Sequence, residues 1–380
     1  MKINIMKKVL LFALALMANL AFVNAQELAS VRENDNFGYI NMSGNMVITP
    51  QFEKTGDFSE GYAAAFKDKK WGFIDTSGKW VIEPTYDRVK EFNSGYALVL
   101  KDDQWNYIDP SGKILTTPVQ DKYYDFEYGV AFYRVGEKIG LIGTSGEVVL
   151  EPTYDAIKSF VNGYARVKNG EQWGMINKTG SVFIPVEYTE LSDYSSKAIW
   201  AAKGESFGIV SNGNFTAVTN TDKIWDFSED SNLTYARRDK KVGFINTKGE
   251  WVIEPAFDKA RAFNKGLAPV AKGKNWGYIN EKGEEVIPFS YRDAEIFSDD
   301  GLAPVKESKL WGFIDTKGKM MIPAQYDITA GGLSLFSKNN LKGFNNGVAR
   351  VKYQKSWGFI NKSGEPLGGK WYQNVENFSK

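Results

Sequence analysis

The chain of 380 residues has no cysteine and no histidine. Without cysteine there is no disulfide, so burial and hydrogen bonding must hold the fold together alone. Without either residue there is no Ser-His-Asp triad, no Cys-His nucleophile pair and no ordinary zinc site. An excess of one charge is also missing. The 47 basic and 46 acidic residues nearly cancel, which leaves no electrostatic footprint for nucleic acid or anionic lipid. Hydrolysis by two carboxylates needs only Asp and Glu, so that chemistry stays open.

Long apolar runs are absent except at the start. Met1 to Lys8 carries three lysines and no acid, Val9 to Val23 is apolar, and Val23-Asn24-Ala25 supplies small residues at a cleavage position. This is the pattern of a secretory signal peptide, expected over 1–25. The run is shorter than the ~20 residues of a spanning helix, and Asn19 interrupts it. No later stretch is apolar enough to span a membrane, and no cysteine follows to carry a lipid. The expected product is exported to the periplasm, the cell surface or the exterior. Loss of three lysines leaves it 44 basic against 46 acidic residues, a net of −2.

What the chain has is repetition. The first residue of Trp71-Gly72-Phe73-Ile74-Asp75 recurs as Phe37, Trp71, Trp105, Ile139, Trp173, Phe207, Val242, Trp276, Trp311 and Trp357, with gaps of 34 or 35 residues and one of 46. Other columns keep phase with it. A turn glycine recurs from Gly44 and Gly78 to Gly364, a proline from Pro50 and Pro84 to Pro323, an aromatic from Phe58 and Phe92 to Phe378, and a small residue at Ala29, Ala63 and Ala97. A fixed period of this length marks a tandem array, here ten units over 26–380.

The unit Trp71-Gly-Phe-Ile-Asp-Thr-Ser-Gly-Lys-Trp-Val-Ile-Glu-Pro-Thr-Tyr-Asp87, with Phe92 and Gly95-Tyr-Ala97, resembles the WG-repeat family of bacterial proteins. The resemblance covers essentially the whole chain after the signal segment. It implies a β-rich tandem array, often exported, and implies no known catalytic activity or ligand. The sixth unit departs by lacking the proline and shortening its turn at Asn212-Gly213. The tenth has Pro366, Gly368 and Gly369 where a regular strand should run. An insertion at about 328–340 lengthens the ninth-to-tenth connection.

Each unit reads as three short antiparallel strands, exemplified by Tyr96 to Leu100, Trp71 to Asp75 and Trp80 to Glu83. The last two are joined by Asp75-Thr-Ser-Gly-Lys79, a type I turn followed by a left-handed glycine. Alternation puts Trp71 and Phe73 on one face and Ile74 on the other. The position held by Leu98, Arg166, Arg350, Pro269 or Pro304 reads as solvent-facing, and its prolines suggest an edge strand. With no strand left over to pair the first unit with the last, an all-β open solenoid is expected, a closed β-propeller-like array being the alternative.

Trp71, Trp105, Trp173, Trp276, Trp311 and Trp357 read as repeat core, because Ile139 and Val242 replace them and cannot stack on a sugar. The aspartates Asp87, Asp121, Asp155, Asp258 and Asp327 read as local turn caps rather than a calcium ladder, there being no D-x-D-x-D-G loop. Trp80, Trp251 and Trp371 fall outside the packing columns and are the candidate ligand-binding aromatics. No catalytic residue, metal or cofactor is indicated. The expectation is a non-catalytic exported scaffold binding a protein or glycan of the cell envelope. A carboxylate glycoside hydrolase and a structural spacer are the competing readings.

Overall fold

A computed structural model describes residues 27–211, 213–327 and 342–380. The signal segment and the insertion at 328–340 lie outside the described residues. Local turn chemistry builds each unit. The Asp75 carboxylate accepts from the backbone of Ser77 (2.9 Å) and Lys79 (3.1 Å), and Gly78 stands at φ 84°. A side chain at such a left-handed position is strained, which is why a glycine stands there in every unit. Two further hairpins turn through paired positive φ, Glu60-Gly61 and Asp68-Lys69, as type I′ geometry requires.

Three turns join four strands, not three. In the second unit they are Lys54–Ser59, Tyr62–Lys67, Lys70–Asp75 and Trp80–Tyr86. The additional, leading strand contains the aromatic of the Phe58 column, which pairs with Ala63. In most units only two of its residues are paired, as with Lys259–Ala260, so it carries no alternation for a sequence pattern to reveal.

That short strand overturns the open solenoid. In the first sheet it is supplied by the end of the chain. Asn374–Val375 pairs antiparallel with Leu28–Glu33, with Val31 opposite Val375. Gln373 N donates to Arg32 O (3.0 Å), Glu376 N to Ser30 O (2.8 Å), and Leu28 and Ser379 exchange bonds of 2.9 and 3.0 Å. Ten sheets in an open row would share nine interfaces. Here ten apolar clusters lie between consecutive sheets, the tenth joining Val348, Trp357 and Phe359 to Ala29, Val31 and Ile40. The array is a closed ten-bladed β-propeller.

Closure covers both faces of every sheet, which corrects a second expectation. Leu98 is 5% exposed and Arg350 4% exposed, and Pro269 and Pro304 are buried. These positions face the neighbouring sheet, not solvent. Nor is their strand an edge, since it pairs with the leading strand on one side and the Trp-Gly strand on the other. The prolines fit because the leading strand diverges there, and the Pro269 carbonyl still accepts from Arg261 N at 3.0 Å.

The glycine of each Trp-Gly pair has a steric cause. Between Phe73↔Ile82 and Trp71↔Tyr86 the last strand bulges, with Glu83, Pro84 and Thr85 on one side facing Gly72 alone on the other. The bulge crosses directly over Gly72. A Cβ there would lie 2.8 Å from Pro84 N and 2.9 Å from the Glu83 carbonyl carbon, and closer still to Ile82 O. Backbone cannot give way as a side chain can, so only glycine fits.

Candidate functional site

The third unit breaks this arrangement at three positions. Asn106 stands where Gly72 stands in the second unit, Thr116 where Ile82 stands, and Gln120 where Tyr86 stands. Ile82 and Tyr86 are the apolar residues that seat the second unit's bulged strand against the next sheet. Asn106 fills the space such a strand would cross, and Thr116 and Gln120 remove its anchors. The third sheet therefore has only Arg88–Asn93, Tyr96–Lys101 and Gln104–Ile108. Pairing beyond them stops at Ile108↔Ile114, with Leu115 N donating to Tyr107 O at 2.9 Å.

Beside Asn106 a cleft of about 710 Å³ opens, lined by Lys90, Leu98, Asp103, Gln104, Trp105 and Asn106 and by Asp121, Lys122, Tyr123, Tyr124 and Asp125. Its aromatics are held from behind. Tyr107 OH donates to Tyr124 O at 2.6 Å, and the Tyr107 and Tyr123 rings sit 5.6 Å apart. Burial pushes the Tyr107 hydroxyl well above the ordinary tyrosine range, so it stays a donor. Lys122 lies 4.9 Å over Tyr124, whose ring meets Phe132 of the fourth sheet at 5.5 Å. Asp121 accepts from Gly136 N at 2.6 Å. Next to it, Gln120 is 9% exposed, its amide facing the Tyr107 hydroxyl without a hydrogen bond of good geometry. Burying such a group costs about 1–3 kcal/mol. The walls thus combine three aromatic planes with cationic, amide and carboxylate groups, the repertoire of a site for a polar ring ligand.

The candidate aromatics read from the sequence are not brought together. Trp80 lies between the first and second sheets, its ring 5.6 Å from Phe52. Trp251 lies between the sixth and seventh, against Ile209 and Val218, with Arg238 at 5.0 Å over its ring. Trp371 lies between the ninth and tenth, 5.3 Å from Tyr353. There it plugs the place of a missing strand: a Cβ on Gly358 would meet the Trp371 ring at 2.8 Å. Of the six repeat tryptophans, Trp276, Trp311 and Trp357 are buried, while Trp71, Trp105 and Trp173 are half-buried. Only Trp105 faces the cleft. The aspartate column does contact a turn, though not its own. Asp155 pairs with Lys138 (2.7 Å) and accepts from Gly170 N (2.7 Å), fifteen residues on in the next sheet, and Asp258 repeats this with Lys241 and Gly273 N. Among the described residues no group of acids is placed to hold a metal ion, and no helix is long and apolar enough to cross a membrane.

Eight stretches, residues 37–71, 71–105, 107–138, 139–173, 173–205, 243–276, 276–311 and 311–355, match the model of the WG containing repeat. The chain belongs to the WG-repeat family. The unmatched stretches of the WG array include the sixth unit and the end of the tenth, where the repeat is irregular. No curated protein matches it significantly in sequence. Among solved structures, a eukaryotic initiation factor matches with a TM-score of 0.52 and 12% identity, over 93% of this chain and 98% of that one. That likeness concerns the fold alone. The dihydro-heme d1 dehydrogenase NirN (TM-score 0.33, 10% identity, 70% of this chain and 73% of that one) is more distant. So is PorZ, a surface component of the type-IX secretion system of Porphyromonas gingivalis (TM-score 0.26, 9% identity, 91% and 57%).

Proposed function

We propose that this WG-repeat propeller is a non-catalytic binding scaffold of the cell envelope that takes a glycan into the third-sheet cleft. The observation that carries the reading is the cleft itself: Trp105, Tyr123 and Tyr124 share a cavity with Lys90, Gln104, Asn106 and Asp103. Aromatic planes offer the C–H face of a sugar an apolar surface, while the polar groups satisfy its hydroxyls. The signal-like N-terminal segment supports an envelope location. Asp121 is committed to Gly136 N, and the chain has no histidine or cysteine nucleophile system, which favours binding over hydrolysis.

A glycan array probed with the full chain, followed by calorimetry on the best saccharide, tests this. Truncating an aromatic anchor typically costs 2 kcal/mol or more, so Trp105→Ala should weaken binding about 30-fold. Binding that survives that change rejects the cleft as the site. Turnover of the same saccharide, abolished by Asp103→Asn, would replace the scaffold reading with the carboxylate hydrolase.

A further inference from the structure

A second cleft, of about 610 Å³, opens chiefly between the seventh and eighth sheets. It occupies the same wedge as the first. Trp225, Tyr235, Lys240, Val242 and Asp258 hold the repeat positions of Lys90, Leu98, Asp103, Trp105 and Asp121. Here the room comes from a different departure, Val242 standing where other units carry tryptophan. The seventh sheet keeps its glycine, Gly243, and all four strands.

The two wedges differ in charge. The first is lined by two lysines and three aspartates, the second by five cations and two aspartates. Both aspartates of the second are already engaged, Asp258 by Lys241 at 2.6 Å and Asp293 by Arg261 at 3.1 Å, and Arg237 is held by Asp222 at 2.8 Å. Among the described residues Lys240, Lys259 and Arg292 take part in no ion pair of 4.0 Å or less, so the wall carries a net excess of uncompensated positive charge. The apolar part is rigid: the Trp225 and Tyr235 rings stack at 4.7 Å with 22° between planes.

We infer that this wedge binds a segment of an acidic polysaccharide, its carboxylates meeting Lys240, Lys259 and Arg292 and its sugar rings resting beside Trp225 and Tyr235. The placement of the cations selects the ligand class. Lys240 lies in a turn of the seventh sheet, Lys259 on the leading strand of the eighth, and Arg292 at the entry to the ninth. Packed sheets lie about 10 Å apart, so cations contributed by three successive sheets suit spaced charges better than one compact phosphate. They suit an extended chain whose charges come at intervals. The site is independent of the third-sheet cleft.

The test uses the full chain, short oligogalacturonates, and neutral galactan oligosaccharides of equal length at low salt. Oligogalacturonate should bind, and added salt should weaken it. Removing one cation about 4 Å from a carboxylate at water-like screening costs about fivefold, so the exposed pair Lys259→Gln/Arg292→Gln should lose about 25-fold with an unchanged unfolding midpoint. Equal affinity for the neutral oligosaccharide, or an unaffected double variant, overturns the inference. So does single-stranded DNA or inorganic phosphate binding as tightly as the uronate. If Trp105→Ala abolishes uronate binding while the double variant does not, the ligand sits in the third-sheet cleft, and this inference fails while the proposed function stands.

Discussion

The second and third sheets descend from one repeat and differ in outcome. Both carry the tryptophan, half-buried in each, yet the second has four strands and the third has three. The fourth and seventh sheets reverse the pairing. They have Ile139 and Val242 in place of tryptophan but retain Gly140 and Gly243, and both are four-stranded. Tryptophan is therefore not what admits the outer strand. Glycine is, because the bulge of that strand rests on its Cα and leaves no room for a β-carbon. The tenth sheet completes the comparison, since there Gly358 is covered by the Trp371 ring instead of a strand.

The sharpest way to break this comparison is to give the second sheet the third sheet's residue. Gly72→Asn should cost about 3 kcal/mol or more in urea unfolding, the range of a forced core clash. An unchanged midpoint would end the steric account. Next comes Asp57, on the second sheet's leading strand and 8% exposed. Burial first, and then repulsion from Glu376, raise its pKa to about 7, with Arg350 opposing. A carboxyl raised in the folded state favours folding while protonated. Its contribution is complete below the unfolded value near 3.8 and is lost as pH rises through about 7. Asp57→Asn should remove about 2 kcal/mol of the stability difference between pH 5 and pH 8, and a wild-type profile as flat as the variant's would refute this.

Smaller effects belong to the third sheet. Gln120→Leu removes a buried amide that makes no hydrogen bond of good geometry and should stabilise by about 1 kcal/mol; a loss would mean that its contact with the Tyr107 hydroxyl satisfies it. Asn106→Gly alone should cost about 0.5–1 kcal/mol of backbone entropy, because Thr116 and Gln120 still offer the outer strand no anchor. Combined with Thr116→Ile and Gln120→Tyr, the same change should return the strand, close the cleft and abolish saccharide binding. A triple variant that still binds would separate the cleft from the missing strand.

Much of this architecture is legible in the residues. The period, the hairpin glycine at Gly78 and the alternation of Phe73 and Ile74 all follow from spacing and turn chemistry. The leading strand is not legible, because two paired residues such as Lys259 and Ala260 show no period, and without it the ring has no visible clasp. The position of Leu98 and Arg350 misleads for a related reason. Variation between apolar, proline and charged residues resembles exposure, whereas here a neighbouring blade, and in one case the Trp357 ring 3.9 Å from Arg350, accepts each of them. The third-sheet cleft was available in the sequence as Asn106, Thr116 and Gln120. Columns chosen for aromatic character follow Trp105 into that unit and pass over the asparagine beside it.

The clasp at Asn374–Val375 also sets an order of assembly. A chain made from its N-terminus can complete the other nine blades from neighbouring residues as they emerge, with hairpins inside each blade. The first blade cannot finish, because its remaining edge waits for a segment more than 300 residues downstream. Until Asn374–Val375 is made, the strand Leu28–Glu33 presents an unpaired ladder to any passing β-segment. Residues 373–379 thus act as a timer on the strand they complete.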